Sequence, residues 1–301
     1  MQESKLKIGY FADGPWSHRA FELLIQDKSL SIEFIVPRSD TTDETLKNYA
    51  EQYGIAYLYP VKINSDEFFE IASGYNCQLF VSMSFNQIFR KRIMELPTLT
   101  TINCHAGKLP FYRGRNILNW ALINDESEFG ITVHFVDEGI DTGDILLQRT
   151  YPIVDSDNYA SLLEVAFNKC AEILYDAIKT LQSGFYERIV QNEIHPVGFY
   201  CGRRGMGDEL INWNQTSREL FNFIRSVCAP APMATTFLNG EEVMINKARI
   251  INDAPFYKNT IGQILAKTEK GFLVKTADSF IEILEIKTNG KLRVGEKFQN
   301  E

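Results

Sequence analysis

The sequence predicts an α/β protein: a Rossmann-like, mostly parallel sheet with flanking helices, followed by a small OB-like β-barrel. Three observations predict it. From Lys7 to Leu181 short apolar runs alternate with amphipathic stretches, as in strands threaded by helices into a parallel sheet. The last of those stretches, 157–181, has a long helical pattern that ends at Ser183-Gly184. Beyond Ala234 the helical spacing stops, and short alternating runs are punctuated by Gly240, Asn259, Gly262, Gly271 and Asn289-Gly290, which is turn chemistry between antiparallel strands.

Taken in order, Lys7–Ala12 reads as a first strand, Ser17–Asp27 as an amphipathic helix and Ile32–Val36 as a second strand. Asp43–Tyr53 and Ser65–Ser73 read as further helices, Leu79–Ser82 as a buried strand and Thr101–Cys104 as the strand after it. Asp13-Gly14-Pro15 reads as a plain turn, because the glycines near the first strand do not form a G-x-G-x-x-G cradle. In the long helix, Leu162, Val165, Ala166, Ala171, Leu174 and Ile178 fall on one core-facing stripe. Residues 185–205 read as a connector, in which Arg203-Arg204 is either a solvated charge cluster or an anion contact. A helix through Glu219–Cys228 precedes five expected strands at 235–238, 242–251, 261–267, 271–276 and 280–287. The division is therefore 1–184, 185–205 and 206–301.

Composition narrows the function classes. The chain has 301 residues, 45% hydrophobic and 23% charged, enough for two domains with a substantial core. Its five cysteines, 77, 104, 170, 201 and 228, are odd in number and scattered, which disfavours disulfides and structural zinc. No apolar stretch is long enough to span a bilayer, and the start of the chain carries no targeting pattern, so the expectation is a cytoplasmic protein without a membrane partner. Acidic residues outnumber basic ones 39 to 31, which disfavours nucleic-acid binding by counterion release.

The chemistry concentrates between Asn103 and Asp144. At the end of a strand Asn103 and His105, two residues apart, project to the same side, while Cys104 is turned to the other. Gly139 and Thr142-Gly143 allow a close-approach loop that brings Asp141 in. Singly, each has an ordinary structural reading. Together they form an amide donor for an oxyanion, a proton-transferring imidazole and an orienting carboxylate. No nucleophile shares their face, which favours direct transfer.

Asn103-x-His105, then Leu109-Pro110 and Gly114, then Asp141 resembles the pattern of the folate-dependent formyltransferases, and the likeness extends over nearly the whole chain. Tyr112-Arg113-Gly114-Arg115 and Leu118-Asn119-Trp120 look most like the nucleotide-sugar branch, whereas the initiator-tRNA branch usually has Arg-Gly-Ala-Ala-Pro there. The segment that in the tRNA enzymes carries a basic insertion offers here only Arg38 and Lys47 against Asp40, Asp43 and Glu44. The resemblance implies catalysis by Asn103, His105 and Asp141, and a pocket for N10-formyltetrahydrofolate at Gln87, Ile88, Phe89, Asp137 and Gly139, without a metal. It implies a homodimer, and a nucleotide-linked amino sugar as acceptor, a 4-amino-4,6-dideoxy sugar bound for a surface glycan. Arg115 has the guanidinium chemistry to grip its diphosphate; Arg113 is either a second such contact or a brace for the loop. Met233 stands where the family often has glycine. Rival readings on the same triad are methionyl-tRNA formylation and formyltetrahydrofolate hydrolysis.

Overall fold

The computed structural model describes residues 5–59 and 61–299. Two compact units account for them. One comprises the chain up to Gly114, Phe129–Tyr151 and Glu164–Cys201; the other comprises Arg115–Glu128, Pro152–Leu163 and Gly202 onward.

In chain order the first elements are β1 (Leu6–Ala12), α1 (Pro15–Gln26), β2 (Leu30–Val36), α2 (Thr45–Tyr53), β3 (Ala56–Tyr57), α3 (Asp66–Gly74), β4 (Leu79–Met83), α4 (Lys91–Met94) and β5 (Thr100–His105). They are followed by β6 (Arg113–Gly114), α5 (Ile117–Ile123), β7 (Glu128–Phe135), β8 (Ile145–Pro152), α6 (Tyr159–Ser183), α7 (Gln191–Ile194) and β9 (Tyr200–Cys201). A seven-stranded sheet of order β3-β2-β1-β4-β5-β7-β8 carries the first unit. Strands β1 to β5 pair in parallel, and β7 joins β5 antiparallel. All five residues of β4 are buried, as expected of a strand covered on both faces. The order reverses between β1 and β4, and at such a switch point a crevice opens outside the carboxyl ends of the strands. The carboxyl end of β5, beside β4, is where Asn103 and His105 lie.

Local chemistry sets the helix ends. Gly14, at φ 67°, turns the chain so that Pro15 opens α1; Ser65 caps α3 by accepting from the Phe68 N–H at 3.1 Å. Asn158 precedes α6 and exchanges bonds with Ser161, which donates its N–H to Oδ1 and accepts the Asn158 N–H. On the expected α6 stripe, Leu162, Ala166, Ala171, Leu174 and Ile178 are buried, but Val165 is exposed, because the helix turns it just past the edge of the covered face.

In the second unit α8 (Ser217–Ser226) starts with a reciprocal cap between Thr216 and Glu219. Behind it run β10 (Ala234–Leu238), β11 (Glu241–Ile245), β12 (Ala248–Ile250), β13 (Ile264–Lys267), β14 (Phe272–Lys275), β15 (Phe280–Ile283) and β16 (Ile286–Thr288). The five strands expected from the sequence are seven shorter ones in two antiparallel sheets, β10-β11-β16 and β12-β15-β14-β13. Both long strands break at one place, where the Asn246 N–H and side-chain amide bond the Glu285 carbonyl and carboxylate. Ile211, Trp213, Leu220, Ile224, Val243, Ile264, Val274 and Ile281 form the core. Met233 adopts a φ of 72°, a left-handed conformation that disfavours any side chain with a Cβ.

Gly9, inside β1, has no room for a methyl group: a Cβ there would lie 2.5 Å from the Phe34 ring and 2.8 Å from Phe80. Both rings are held edge-on against Phe11. Gly9→Ala is expected to cost about 1–3 kcal/mol, seen as a lower urea midpoint at constant slope; an unchanged midpoint would mean that the rings yield freely.

Candidate functional site

Strand pairing builds the site. Across β5 and β7, Asn103 faces His134 and His105 faces Thr132, so the polar end of β5 meets a second imidazole that the sequence reading passed over. A lone histidine in the apolar run Glu128–Phe135 looks like ordinary core; its position seven residues before Asp141 was the available signal.

Asp141 lies among four polar groups. His105 Nδ1 is 3.6 Å from its Oδ2, His134 Nε2 is 3.5 Å from its Oδ1, and Asn103 Nδ2 is 3.5 Å from Oδ1. The Gly114 N–H donates to Oδ2 at 2.9 Å. Burial disfavours the carboxylate's charge, but the positive charge that His105 and His134 carry when protonated, together with the Gly114 N–H, outweighs it and holds the group well below the usual carboxylate range. No group of three or more His, Cys, Asp or Glu among the described residues is arranged to hold a metal ion.

Backbone carbonyls fix both imidazoles. A carbonyl only accepts, so His105 Nε2, 2.7 Å from the Tyr112 oxygen, carries its hydrogen there, and the open nitrogen is the Nδ1 that faces Asp141. His134 Nδ1 donates to the Phe135 carbonyl at 2.8 Å, which leaves Nε2 to accept from Asn103 Nδ2 at 3.1 Å. Cys104 points away, its Sγ 3.6 Å from the Cys170 carbonyl, as strand alternation requires.

The loop that delivers Asp141 is tightly wound. Asp141 itself has φ 55°, and a Cβ on Gly143 would overlap the Phe135 carbonyl. Gln191 Nε2 bonds the carbonyls of Asp141 at 2.9 Å and Gly143 at 2.7 Å. Its Oε1 accepts from Arg113 Nε at 3.1 Å and Nη2 at 2.6 Å, while Arg113 Nη1 donates to the Val197 carbonyl. Arg113 is buried and committed as a brace. Segment 185–205 is correspondingly more than a connector, since β9 pairs with β6 through Arg113↔Tyr200 and Gly114↔Cys201. The turn after Pro110 thus leads first into a strand, and the helix waits until Ile117.

Of the residues assigned to the folate pocket, Gln87 spends its side chain on backbone: Oε1 accepts the Ile63 N–H and Nε2 donates to the Val61 carbonyl, both at 3.1 Å. Phe89 is buried in a phenylalanine-rich cluster on which Phe85 and Val136 also pack, so segments 84–89 and 136–140 share one core. Ile88 and Ile140 remain 63% and 55% exposed, apolar side chains free to line a planar ring. Asp137 Oδ1 accepts from the Gly139 N–H and from Thr142 Oγ1, shaping the turn. In the second unit Arg115 is exposed. Of the Arg203-Arg204 pair, Arg203 is exposed and Arg204 half-buried, its guanidinium 5.4 Å from the Trp120 ring centre and 5.6 Å from that of Phe223.

Two consequences are measurable. A Cβ on Gly107 would overlap both His105 Nε2 and the Tyr112 carbonyl, so Gly107→Ala is expected to cut turnover at least about 10-fold by displacing the imidazole, with full activity as the contrary result. The depressed Asp141 carboxyl stabilises the folded state above the ordinary carboxylate range, and that share is lost as acid protonates it. The stability gap between the wild type and Asp141→Asn should hold steady above about pH 5 and narrow below about pH 4; a gap that ignores pH would refute the assignment.

Comparison with known proteins adds an independent line. Residues 25–178 match the family model for formyl transferase, and residues 206–300 match that for the formyl transferase C-terminal domain. The methionyl-tRNA formyltransferase of Thermodesulfovibrio yellowstonii is 33% identical over 247 residues, covering 82% of this chain and 77% of that protein. Its counterpart from Ruminiclostridium cellulolyticum is 32% identical over 249 residues, 83% and 79% of the two chains. Among solved structures, the sugar 3N-formyltransferase WlaRD, determined with dTDP and 5-N-formyl-THF, aligns with a TM-score of 0.69 at 21% identity over 97% of this chain and all of that one. The N-formyltransferase of Helicobacter canadensis, in complex with folinic acid and dTDP-3-aminofucose, gives 0.70 at 21% identity, covering 94% and 100%. At such identities the structural likeness speaks to the fold.

Proposed function

The chain belongs to the formyl transferase family, and from that premise we propose that it transfers the formyl group of N10-formyltetrahydrofolate to the amine of a nucleotide-linked amino sugar. The observation that carries formyl transfer is the cluster in which Asn103, His105 and His134 all lie within 3.6 Å of Asp141 or closer. The amine attacks the formyl carbon and negative charge grows on its oxygen. Asn103 commits one N–H to His134; its other lies in a 3.5 Å contact with Asp141, long enough to be exchanged for the substrate oxygen. His105 Nδ1 takes the proton that the attacking nitrogen loses, and the adjacent Asp141 carboxylate stabilises the resulting imidazolium. The same pair returns a proton to the departing N10. Segments 84–89 and 136–140, which share one core and leave Ile88 and Ile140 exposed, suit a planar pterin gripped by backbone, since the Gln87 side chain is occupied elsewhere.

The acceptor rests on different observations. Of the two basic residues in the segment after β2, Arg38 is paired with Asp40 through Nε at 2.9 Å and Nη2 at 3.0 Å, and Lys47 lies 3.3 Å from Glu44. Each cation is balanced by an acidic neighbour, so the segment presents no net basic patch to a polyanion. Fold likeness to sugar N-formyltransferases points the same way, and exposed Arg115 suits a diphosphate. Methionyl-tRNA is the second reading, favoured by the 30–33% identity to enzymes of that name. The expected subunit arrangement is a homodimer.

Asn103→Ala and His105→Ala should each lower kcat about 100- to 1,000-fold at saturating substrates; near-normal turnover in both would remove the site assignment. Incubating the wild type with N10-formyltetrahydrofolate and a panel of nucleotide-linked amino sugars, against methionyl-tRNA and no-acceptor controls, tests the acceptor. Product is expected with one of the sugars, whereas tRNA-only product or acceptor-independent folate release would replace the sugar reading.

A further inference from the structure

We infer that His134 is a positioning residue for the reaction: by accepting from Asn103 it fixes which end of the Asn103 amide faces the reacting formyl oxygen. The inference rests on the formyl-transfer reading above and extends it. An asparagine amide presents a donor at one end and an acceptor at the other, and a half-turn about the bond to Cβ exchanges them. With Nδ2 inward the developing oxyanion meets an N–H; with Oδ1 inward it meets another oxygen and is repelled. Strand β5 places the Asn103 backbone but leaves this choice open.

His134 decides it through a chain of single-valued bonds. The Phe135 carbonyl, 2.8 Å from Nδ1, requires the hydrogen on that nitrogen. Whenever the ring is neutral its Nε2 is then bare; it lies 3.1 Å from Asn103 Nδ2 and would repel Oδ1 in its place. The ring is 3% exposed, so water does not compete for the lone pair. Asp141 Oδ1, 3.5 Å from both Nδ2 and Nε2, repels a flipped amide oxygen as well. The β5–β7 register, with Asn103 opposite His134, makes the pairing a property of the sheet.

A double-mutant cycle tests the inference, because a residue that acts only through Asn103 has nothing left to do once that amide is gone. His134→Leu is expected to lower kcat about 100-fold with KM for N10-formyltetrahydrofolate unchanged. His134→Gln, whose Oε1 can still accept, should recover a large part of that loss. On an Asn103→Ala background, His134→Leu should change kcat less than about 3-fold. A full loss repeated on that background, an equal loss in the Gln and Leu variants, or a loss that tracks a fall in Tm would each overturn it. Ring ¹⁵N NMR of the wild type, assigned through His134→Gln and recorded at about pH 8, above the ordinary imidazole range, provides a readout that needs no turnover. Hydrogen on Nδ1 and a bare Nε2 are expected, and a hydrogen on Nε2 overturns the inference. Failure of the wild type to formylate any acceptor would instead strike the reaction assignment, while the ring spectrum still decides the pairing.

Discussion

A carboxylate largely shielded from water must be compensated, and the site is organised around that requirement. Asp141 carries its charge where water is largely excluded, a placement that costs several kcal/mol unless hydrogen bonds and opposite charge offset it. Two imidazoles that offset it when protonated, one side-chain amide and one backbone N–H surround it. The rings are fixed in turn by the Tyr112 and Phe135 carbonyls, which can only accept, and Gly114 by the β6–β9 pairing. The arrangement leaves His105 Nδ1 and one Asn103 N–H as the groups with chemistry still to offer.

The backbone of the site is compressed to match. Asp141 sits in a left-handed conformation, a cost typical of residues whose placement is over-determined by their surroundings. Gly107 and Gly143 occupy points where a Cβ would overlap a ring or a carbonyl. These features share one cause: a carboxylate on a loop must be brought against a strand end more closely than ordinary side chains permit.

How much of this was legible in the sequence follows from the range of the interactions. Asn103 and His105 were readable because strand alternation is local, and Asp141 because glycines flank its loop. The α/β half followed from periodicity within a single element. His134 was not readable, since a histidine in an apolar strand has no local mark that separates a partner from core. Arg113 and Gln191 are 78 residues apart in sequence, and nothing in either segment announces the other. The bracing role of the Gln87 side chain was not readable, because its partners at Val61 and Ile63 belong to a loop without pattern. The two long strands expected near the carboxyl terminus break where the Asn246 side chain finds Glu285, a pairing that alternation alone does not encode. Met233 is the converse: glycine was expected by likeness, and the left-handed turn that favours glycine is present without it.

Gln191 ties these threads together. One amide accepts twice from Arg113 and donates to the carbonyls of Asp141 and Gly143, with none of its four bonding positions left free. It therefore serves as a clasp between a stretch that looks like a spacer and the loop bearing Asp141. Changes in the length of 185–205 are consequently not silent drift in a linker. They reach the Asp141 loop, and a fragment cut at Gly184 would keep Asn103, His105 and Asp141 yet lose the clasp that holds that loop.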